Sequence, residues 1–192
     1  MSKNKSTVIA VVGMAGAGKT ISCQHFAKQR LPVLRFGDQT DIGLKELGLP
    51  LTQKHEKKYR EELRQKLGMS AYAIKIKPRI KQALKDSSVV ILDGLYSWEE
   101  YVYLKKQFNN FFLLCIYTRP NIRYQRLTKR KIRPLTQKES FKRDMAELEN
   151  LNKGGPIAMA DYLIKNNKQS AKLFKKLDHT LKLITSGKTQ ER

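Results

Sequence analysis

Residues 13–20 of this chain are Gly13-Met14-Ala15-Gly16-Ala17-Gly18-Lys19-Thr20, which fill every position of the phosphate-binding pattern G-x-x-x-x-G-K-[ST]. The apolar run before them, Thr7 to Val12, is typical of a buried β-strand. The run after them, Ile21 to Arg30, contains no proline or glycine and predicts a helix. A strand, a glycine-rich loop and a helix in this order are the context in which the pattern binds phosphate.

The residue types of this loop suit a polyphosphate ligand. Three glycines allow the backbone to curve closely around phosphates with its N–H groups turned inward, and the following helix adds free N–H groups and a positive dipole end. Lys19 can reach the β- and γ-phosphates, and the Thr20 hydroxyl can ligate Mg²⁺. The alternative is a chance glycine turn before a helix. We interpret residues 13–20 as a nucleoside triphosphate site, with ATP and Mg²⁺ as the expected ligands.

The composition is that of an α/β protein without disulfides. The chain has 192 residues and two cysteines, Cys23 and Cys115, which are predicted to be buried small hydrophobes in a reducing compartment rather than catalytic thiols. No signal peptide is visible at the N-terminus, and no apolar run approaches the ~18–20 residues that span a bilayer. A cytoplasmic protein with no membrane span is therefore expected.

The charge is strongly basic, with 39 Lys plus Arg against 17 Asp plus Glu and a formal net charge of +22. Such a charge favours polyanions such as nucleotides, coenzyme phosphates, nucleic acid or an anionic membrane. The alternative is a lysine-rich, solvated surface that serves solubility, above all for the lysines after Lys165.

Strands alternate with helices along the chain, which predicts a doubly wound parallel sheet of about five strands. The predicted strands are residues 7–12, 31–36, 89–94, 111–117 and 162–164. The predicted helices are residues 21–30, 54–67, 72–84 (where a strand pattern competes), 97–108, 121–131, 136–151 and 170–184. One domain is expected over residues 1–185, followed by a disordered tail at 186–192.

Two acids follow predicted strands at the edge where ligands bind in open α/β sheets. Asp93 ends the run Val89 to Leu92 in the manner of a Walker B acid and is predicted to organise Mg²⁺, partly through water; an ordinary turn acid is the alternative. Asp38 ends the second strand and could accept a proton from an attacking hydroxyl or hold the acceptor in line. Capping of a following helical turn is the alternative for Asp38.

A basic segment, residues 119–143, follows the fourth strand and reads as a short helical lid over the site. Arginines folded over transferring phosphate stabilise the charge that develops on its oxygens. Arg126 and Arg130 are predicted to act on that phosphate, and the other lid arginines are Arg119, Arg123, Arg133 and Arg143. The alternative is a solvated basic helix face, and Arg143 could instead form a local ion pair with Asp144.

An ordered set of motifs from Val8 to about Asn167 resembles the nucleoside-monophosphate-kinase-like P-loop kinases. The set is more similar still to the adenylate kinase-related or dephospho-CoA kinase-like proteins common in archaea. It comprises Gly13 to Thr20, Phe36-Gly37-Asp38, Leu63-Arg64 with Gly68, Val90-Ile91-Leu92-Asp93-Gly94, Arg123-Tyr124-Gln125-Arg126-Leu127, Arg143-Asp144 and Ile157 to Asn166. The resemblance implies an ATP-dependent phosphotransferase with Asp38 and Arg64 towards a small-molecule acceptor, such as a nucleoside monophosphate or dephospho-CoA.

This chain departs from the family pattern at two places. The relatives usually carry an arginine three residues after the Asp38 position, where this chain has Asp41, and another just after Asp-Gly, where it has Tyr96 and Ser97. Both arginines normally grip the phosphate of the acceptor, so the departures bear on the acceptor and leave ATP binding untouched. A basic P-loop ATPase or nucleotide switch that binds RNA is the second hypothesis; no RNA-binding motif accompanies it, and a nucleic-acid partner is not favoured.

Overall fold

The computed structural model describes residues 6–167 and 170–186. Five parallel strands form one sheet in the order β2-β3-β1-β4-β5. The strands are β1 (Thr7–Val12), β2 (Val33–Arg35), β3 (Val89–Asp93), β4 (Phe111–Tyr117) and β5 (Tyr162–Lys165). The predicted α/β class and the predicted number of strands are confirmed.

Nine helices occur in the described part of the chain. They are α1 (Lys19–Lys28), α2 (Asp38–Glu46), α3 (Gln53–Leu67), α4 (Ala71–Asp86), α5 (Trp98–Gln107), α6 (Pro120–Thr128), α7 (Gln137–Glu149), α8 (Gly154–Ala158) and α9 (Ser170–Ser186). The ambiguous run around Pro78 is helical, as favoured, and Pro78 lies inside α4. The short helices α2 and α8 were not predicted.

Helices cover both faces of the sheet because its central strand is apolar on both sides. Val8 and Ala10 of β1 pack into a core that includes side chains of α4 and α5, whereas Ile9 and Val11 pack into a second core with α1 and α9. All four side chains are fully buried. Alternate residues of a strand point to opposite faces, so a continuous apolar run requires a layer on each side.

The carboxyl edge of the sheet gathers the motifs that the sequence singled out. Val11 is paired with Asp93 in the parallel register, so the glycine-rich loop after β1 begins beside the end of β3. Beyond β3, Ser97 caps α5 by accepting a hydrogen bond from the Glu100 backbone N–H, and the Glu100 carboxylate accepts from Ser97 in return. This capping box confirms the predicted start of the helix and fixes the exit of the chain from the site.

Both cysteines are buried, as predicted, and burial raises the pKa of the Cys115 thiol to about 11. No helix within residues 6–167 and 170–186 is long and apolar enough to cross a membrane. The predicted tail lies outside the described residues except for Ser186, which ends α9.

Candidate nucleotide-binding site

The loop between β1 and α1 is curved by three glycines in left-handed conformations. Gly13, Gly16 and Gly18 have φ values of 136°, 77° and 108°. A Cβ atom at Gly16 would lie 2.8 Å from the Arg123 carbonyl oxygen, and one at Gly13 would overlap the Ile116 carbonyl oxygen. Both the backbone conformation and the close approach therefore require glycine, and the result is a shallow backbone cradle at the start of α1.

Lys19 is the first residue of α1 and extends back over this cradle. Its Nζ donates hydrogen bonds to the carbonyl oxygens of Gly13 (2.8 Å) and Met14 (3.2 Å). Burial, reinforced by the charge of Lys153 nearby, lowers the pKa of Lys19 to about 8. An anion in the cradle would offset both effects, so the geometry suits a bound phosphate.

A cleft of about 570 Å³ opens above the loop and runs along the carboxyl edge of the sheet. Arg126, Arg130 and Asn166, which follow β4 and β5, line one half of it, and Arg35, Asp93 and Tyr96, at or after the ends of β2 and β3, line the other half; α7 and Lys153 complete the wall beside Tyr96. The polar side chains of its lining are Lys19, Thr20, Arg35, Asp93, Tyr96, Arg126, Arg130, Arg143, Glu147, Lys153 and Asn166.

Asp93 lies at the end of β3 and lines the cleft together with Lys19 and Thr20. Burial raises the pKa of its carboxyl group, and the positive charges of Lys19 and Arg35 oppose that rise. The Thr20 side chain is exposed to the same cleft. A hydroxyl and a carboxylate on either side of a phosphate cradle are the oxygen ligands that Mg²⁺ uses, so these residues fit a nucleotide with its magnesium ion.

The ends of β4 and β5 hold the loop from the opposite side. Thr118 Oγ1 and Asn166 Nδ2 both donate hydrogen bonds to the Ala17 carbonyl oxygen, at 3.0 and 2.8 Å. Arg126 donates to Thr118 Oγ1 (3.2 Å) and to the Asn166 carbonyl oxygen (2.9 Å) while it lines the cleft. Arg130 is exposed and lines the cleft as well. Both arginines predicted to act on phosphate therefore border the cleft.

The other lid arginines are distributed differently. Arg143 lines the cleft, whereas Arg119 and Arg133 are exposed and are absent from its described lining. Arg123 is buried; it donates to the Ala15 carbonyl oxygen (3.0 Å) and to both carboxylate oxygens of Asp144. Arg123 therefore supports the glycine-rich loop from behind.

Two details of the predicted lid differ in the structure. Helix α6 ends at Thr128, earlier than predicted, so Arg130 lies in the following loop and does not continue a helical face. The local ion pair considered for Arg143 and Asp144 does not form, because Asp144 pairs with Arg123, and Arg143 Nε donates to Glu147 at 2.9 Å. Sequence neighbours point to different sides of a helix, which explains the second difference.

The two residues predicted to face the acceptor lie outside the described lining of the cleft. Asp38 begins α2, and its carboxylate oxygens lie 3.6 Å from a guanidinium nitrogen of Arg35 and 3.5 Å from one of Arg79. Arg64, on α3, places its guanidinium 5.7 Å from the centre of the Tyr72 ring, and its buried Nε has no hydrogen-bond partner. Gly37, directly before Asp38, does line the cleft, so Asp38 stands at its margin.

Five polar side chains of the cleft were given no role in the site by the sequence: Arg35, Tyr96, Glu147, Lys153 and Asn166. Lys153 is 2% exposed, and its Nζ donates a hydrogen bond to Glu147 Oε2 at 2.5 Å and lies 5.0 Å from the centre of the Tyr96 ring. Nothing local marks a lysine before Gly154-Gly155 as buried. Only the spacing of four between Arg143 and Glu147 was visible as an ion-pair signal.

Fold and site together define a P-loop protein with a kinase-like fold. The chain belongs to the UPF0200 family, and residues 9–150 match the family model described as an AAA domain. It is 33% identical over 181 residues to the UPF0200 protein of Pyrococcus abyssi (strain GE5 / Orsay), a match that covers 92% of this chain and 96% of the relative.

Two solved structures of small-molecule kinases share the fold at low sequence identity. Shikimate kinase from Acinetobacter baumannii, in complex with shikimate, has a TM-score of 0.59 at 20% identity and covers 97% of each chain. A gluconokinase from Sinorhizobium meliloti 1021 has a TM-score of 0.60 at 14% identity over 96% of this chain and 97% of its own.

Proposed function

We propose that this protein is an ATP- and Mg²⁺-dependent phosphotransferase that moves the γ-phosphate of ATP to a nucleotide or nucleotide-like small molecule. A nucleoside monophosphate or dephospho-CoA is the type of acceptor that we expect. The observation that carries the proposal is the single cleft of about 570 Å³ that joins Lys19 and Asp93 to the arginines of the lid segment. The cleft extends from the phosphate cradle to Arg35 and Gly37 at the end of β2 and to Tyr96 after β3, which offer a second region for an acceptor.

The residues around the cradle have separate roles in this proposal. Lys19 and the loop N–H groups bind the β- and γ-phosphates, and Thr20 and Asp93 hold the magnesium ion, Asp93 partly through water. Bound Mg²⁺ neutralises charge on the phosphate oxygens. Arg126 and Arg130 approach from the β4–β5 half of the cleft, where their guanidinium groups stabilise the charge that develops during transfer.

The acceptor lies in the β2–β3 half of the cleft in this proposal. Asp38, at the start of α2, is assigned to accept the proton of an attacking hydroxyl or to hold the acceptor in line, and Arg64 supports the same side from α3. A small closure of α2 and α3 would bring both towards the cleft, as conformational closure does in other phosphotransferases. Closure of this kind would also exclude water from the phosphate that is transferred.

A second candidate function follows from the net charge of +22: a P-loop ATPase or nucleotide switch that binds RNA or another polyanion. In that case the cleft needs no acceptor, and the basic residues of the lid segment act as interchangeable phosphate contacts. The two candidates differ in whether a small molecule receives the phosphate.

The test is a screen of acceptors with γ-labelled ATP and Mg²⁺, with nucleoside monophosphates and dephospho-CoA in the panel. We expect label to appear on one acceptor and the rate to fall at least about 100-fold in Lys19→Ala, because a positioned charge on the transferred phosphate is lost. Thermal unfolding of Lys19→Ala is the control, and we expect a cooperative transition like that of the unaltered protein. Label released only as inorganic phosphate, at a rate that RNA stimulates, would support the second candidate.

A further inference from the structure

Two cations and one acid meet at the wall of the cleft formed by α7 and the start of α8. Glu147 accepts hydrogen bonds from Arg143 Nε (2.9 Å) and from Lys153 Nζ (2.5 Å). Lys153 also lies over the ring of Tyr96, which follows β3. This arrangement, the Lys153–Arg143–Glu147 cluster, therefore lines the cleft next to the chain that follows β3.

The cluster carries more positive charge than its one carboxylate balances. Buried lysines are normally paired one to one, because an unbalanced ammonium away from water is costly. Here Glu147 is shared between two cations, and Lys153 is 2% exposed. Burial lowers the pKa of Lys153, although the negative charge of Glu147 acts to raise it. Among the neighbouring charges, that of Lys153 contributes most to lowering the pKa of Lys19. The two ammonium groups thus repel each other across the cleft.

The cleft as a whole shows the same excess. Its described surface carries six cationic side chains and two acidic ones. The acidic residues are Asp93 and Glu147, and the cationic residues are Lys19, Arg35, Arg126, Arg130, Arg143 and Lys153. The excess is four positive charges, whereas a magnesium–ATP complex carries a net charge of about −2. Positive charge remains for a second anion, and two of the six cations, Arg143 and Lys153, are held together by Glu147 in the cluster.

We propose that Lys153 and Arg143 form an anion-binding subsite for the acceptor, which takes a phosphate group carried by that molecule. Glu147 is a positioning residue that holds both cations towards the cleft, and Tyr96 supports the Lys153 ammonium through its ring face. Tyr96 occupies the place where the resemblance to P-loop kinases leads us to expect an arginine, so Lys153 restores a cation there from another element. The identification of the anion as part of an acceptor rests on the proposed function, whereas the binding of an anion at this subsite does not.

A purely structural ion pair is the competing explanation for Lys153. Such a pair would have one cation for Glu147, would lie away from the cleft and would not lower the pKa of Lys19. The observed cluster differs on all three counts.

Binding of defined probes to the protein already saturated with magnesium and a non-hydrolysable ATP analogue tests the subsite. The probes are orthophosphate, adenosine monophosphate and, as the uncharged partner, adenosine, each titrated by calorimetry. We expect Lys153→Gln to weaken binding of orthophosphate and adenosine monophosphate by roughly 10- to 100-fold, the effect of one hydrogen bond to a charged group. Adenosine and the ATP analogue should bind as to the unaltered protein.

Lys175→Gln is the matched control. Lys175 is an exposed residue of α9, and its substitution removes the same charge at a position outside the described lining of the cleft. If Lys153→Gln unfolds, the double variant Glu147→Gln/Lys153→Gln replaces the pair by two neutral amides and answers the same question. Equal losses in Lys153→Gln and Lys175→Gln would reduce the effect to overall charge and overturn the subsite. If Lys153→Gln loses as much affinity for the ATP analogue as for the two anions, Lys153 belongs to the nucleotide site and the subsite is refuted. The subsite is also refuted if neither orthophosphate nor adenosine monophosphate binds to the unaltered protein.

The result is independent of whether phosphate is transferred. Anion binding that depends on Lys153 in a protein that phosphorylates no acceptor would leave the subsite standing and remove the proposed function. Transfer of phosphate to an acceptor that binds Lys153→Gln as tightly as the unaltered protein would support the proposed function and refute the subsite.

Discussion

The guanidinium of Arg123 and the carboxylate of Asp144 form a buried, bidentate ion pair, with N–O distances of 3.0 and 2.6 Å, that joins α6 to α7. The same guanidinium donates to the Ala15 carbonyl oxygen of the glycine-rich loop. The position of α7, which carries Arg143 and Glu147, is thereby coupled directly to the phosphate cradle. A residue of the basic segment thus organises the site without facing the cleft.

Asp144→Asn should lower the free energy of unfolding by about 3–5 kcal/mol, because it leaves the Arg123 guanidinium buried and without a charge partner. Urea unfolding followed by circular dichroism measures the change. Asp86→Asn, at the exposed end of α4, is the control and should cost less than about 0.5 kcal/mol. A loss in Asp144→Asn no larger than in Asp86→Asn would show that the pair contributes little.

ATP affinity should depend on pH through Lys19, whose pKa is lowered to about 8 in the free protein. Below pH 8 the ammonium is present and binds phosphate. Above pH 8 it is lost from the free protein, so binding must take up a proton and the affinity should fall, approaching about tenfold per pH unit. Calorimetric titrations from pH 7 to pH 9.5 measure the profile. Lys19→Arg stays charged and should bind with a flat profile over the same range; an unchanged slope would assign the proton to another group.

Asp93→Asn should reduce the magnesium-dependent rate by at least about 100-fold while ATP affinity changes little. The substitution keeps the shape of the side chain but removes the charge that holds the ion. Initial rates at varied magnesium concentration, together with ATP binding in the absence of magnesium, separate the two effects. Normal turnover in a folded Asp93→Asn protein would make Asp93 an ordinary turn residue.

Arg130→Ala should lower the rate of phosphate transfer more than it lowers ATP affinity, since the guanidinium acts on charge that develops during transfer. Arg126→Ala should do the same, but Arg126 also bonds Thr118 and Asn166, so Arg130 is the cleaner position. Rates and ATP binding are measured on both variants, with Lys172→Ala on α9 as the exposed control.

The same variants distinguish the second candidate function. If the lid segment binds RNA, each lost cation should reduce the slope of log affinity against log salt by about one, with no change in turnover. That pattern in Arg130→Ala would favour the RNA-binding ATPase over the kinase.

Much of the architecture was predictable because the signals are local. A short β-branched run before Gly13 favours a buried strand, and Ser97 with Glu100 three residues later defines a helix start through contacts within one turn. The strand Phe111–Tyr117 agrees with the prediction at both ends. The placement of Asp93 at the same edge as the glycine-rich loop then follows from the rule that ligands bind at the carboxyl ends of parallel strands, whereas the order of the strands was not predicted.

By itself, the sequence determined the class of fold, the phosphate loop and the acid at the end of β3, since each depends on residues that are neighbours along the chain or along one strand. Only the tertiary structure decided which arginines of the basic segment face the cleft. It turned Arg123 inwards to Asp144, and it brought Lys153 from the start of α8 to the ring of Tyr96. Charged side chains carry no periodic signal, and their partners are set by how helices pack over the sheet. The wall of the cleft at Tyr96, Glu147 and Lys153 therefore became visible only when α7 and the start of α8 were placed against the chain that follows β3.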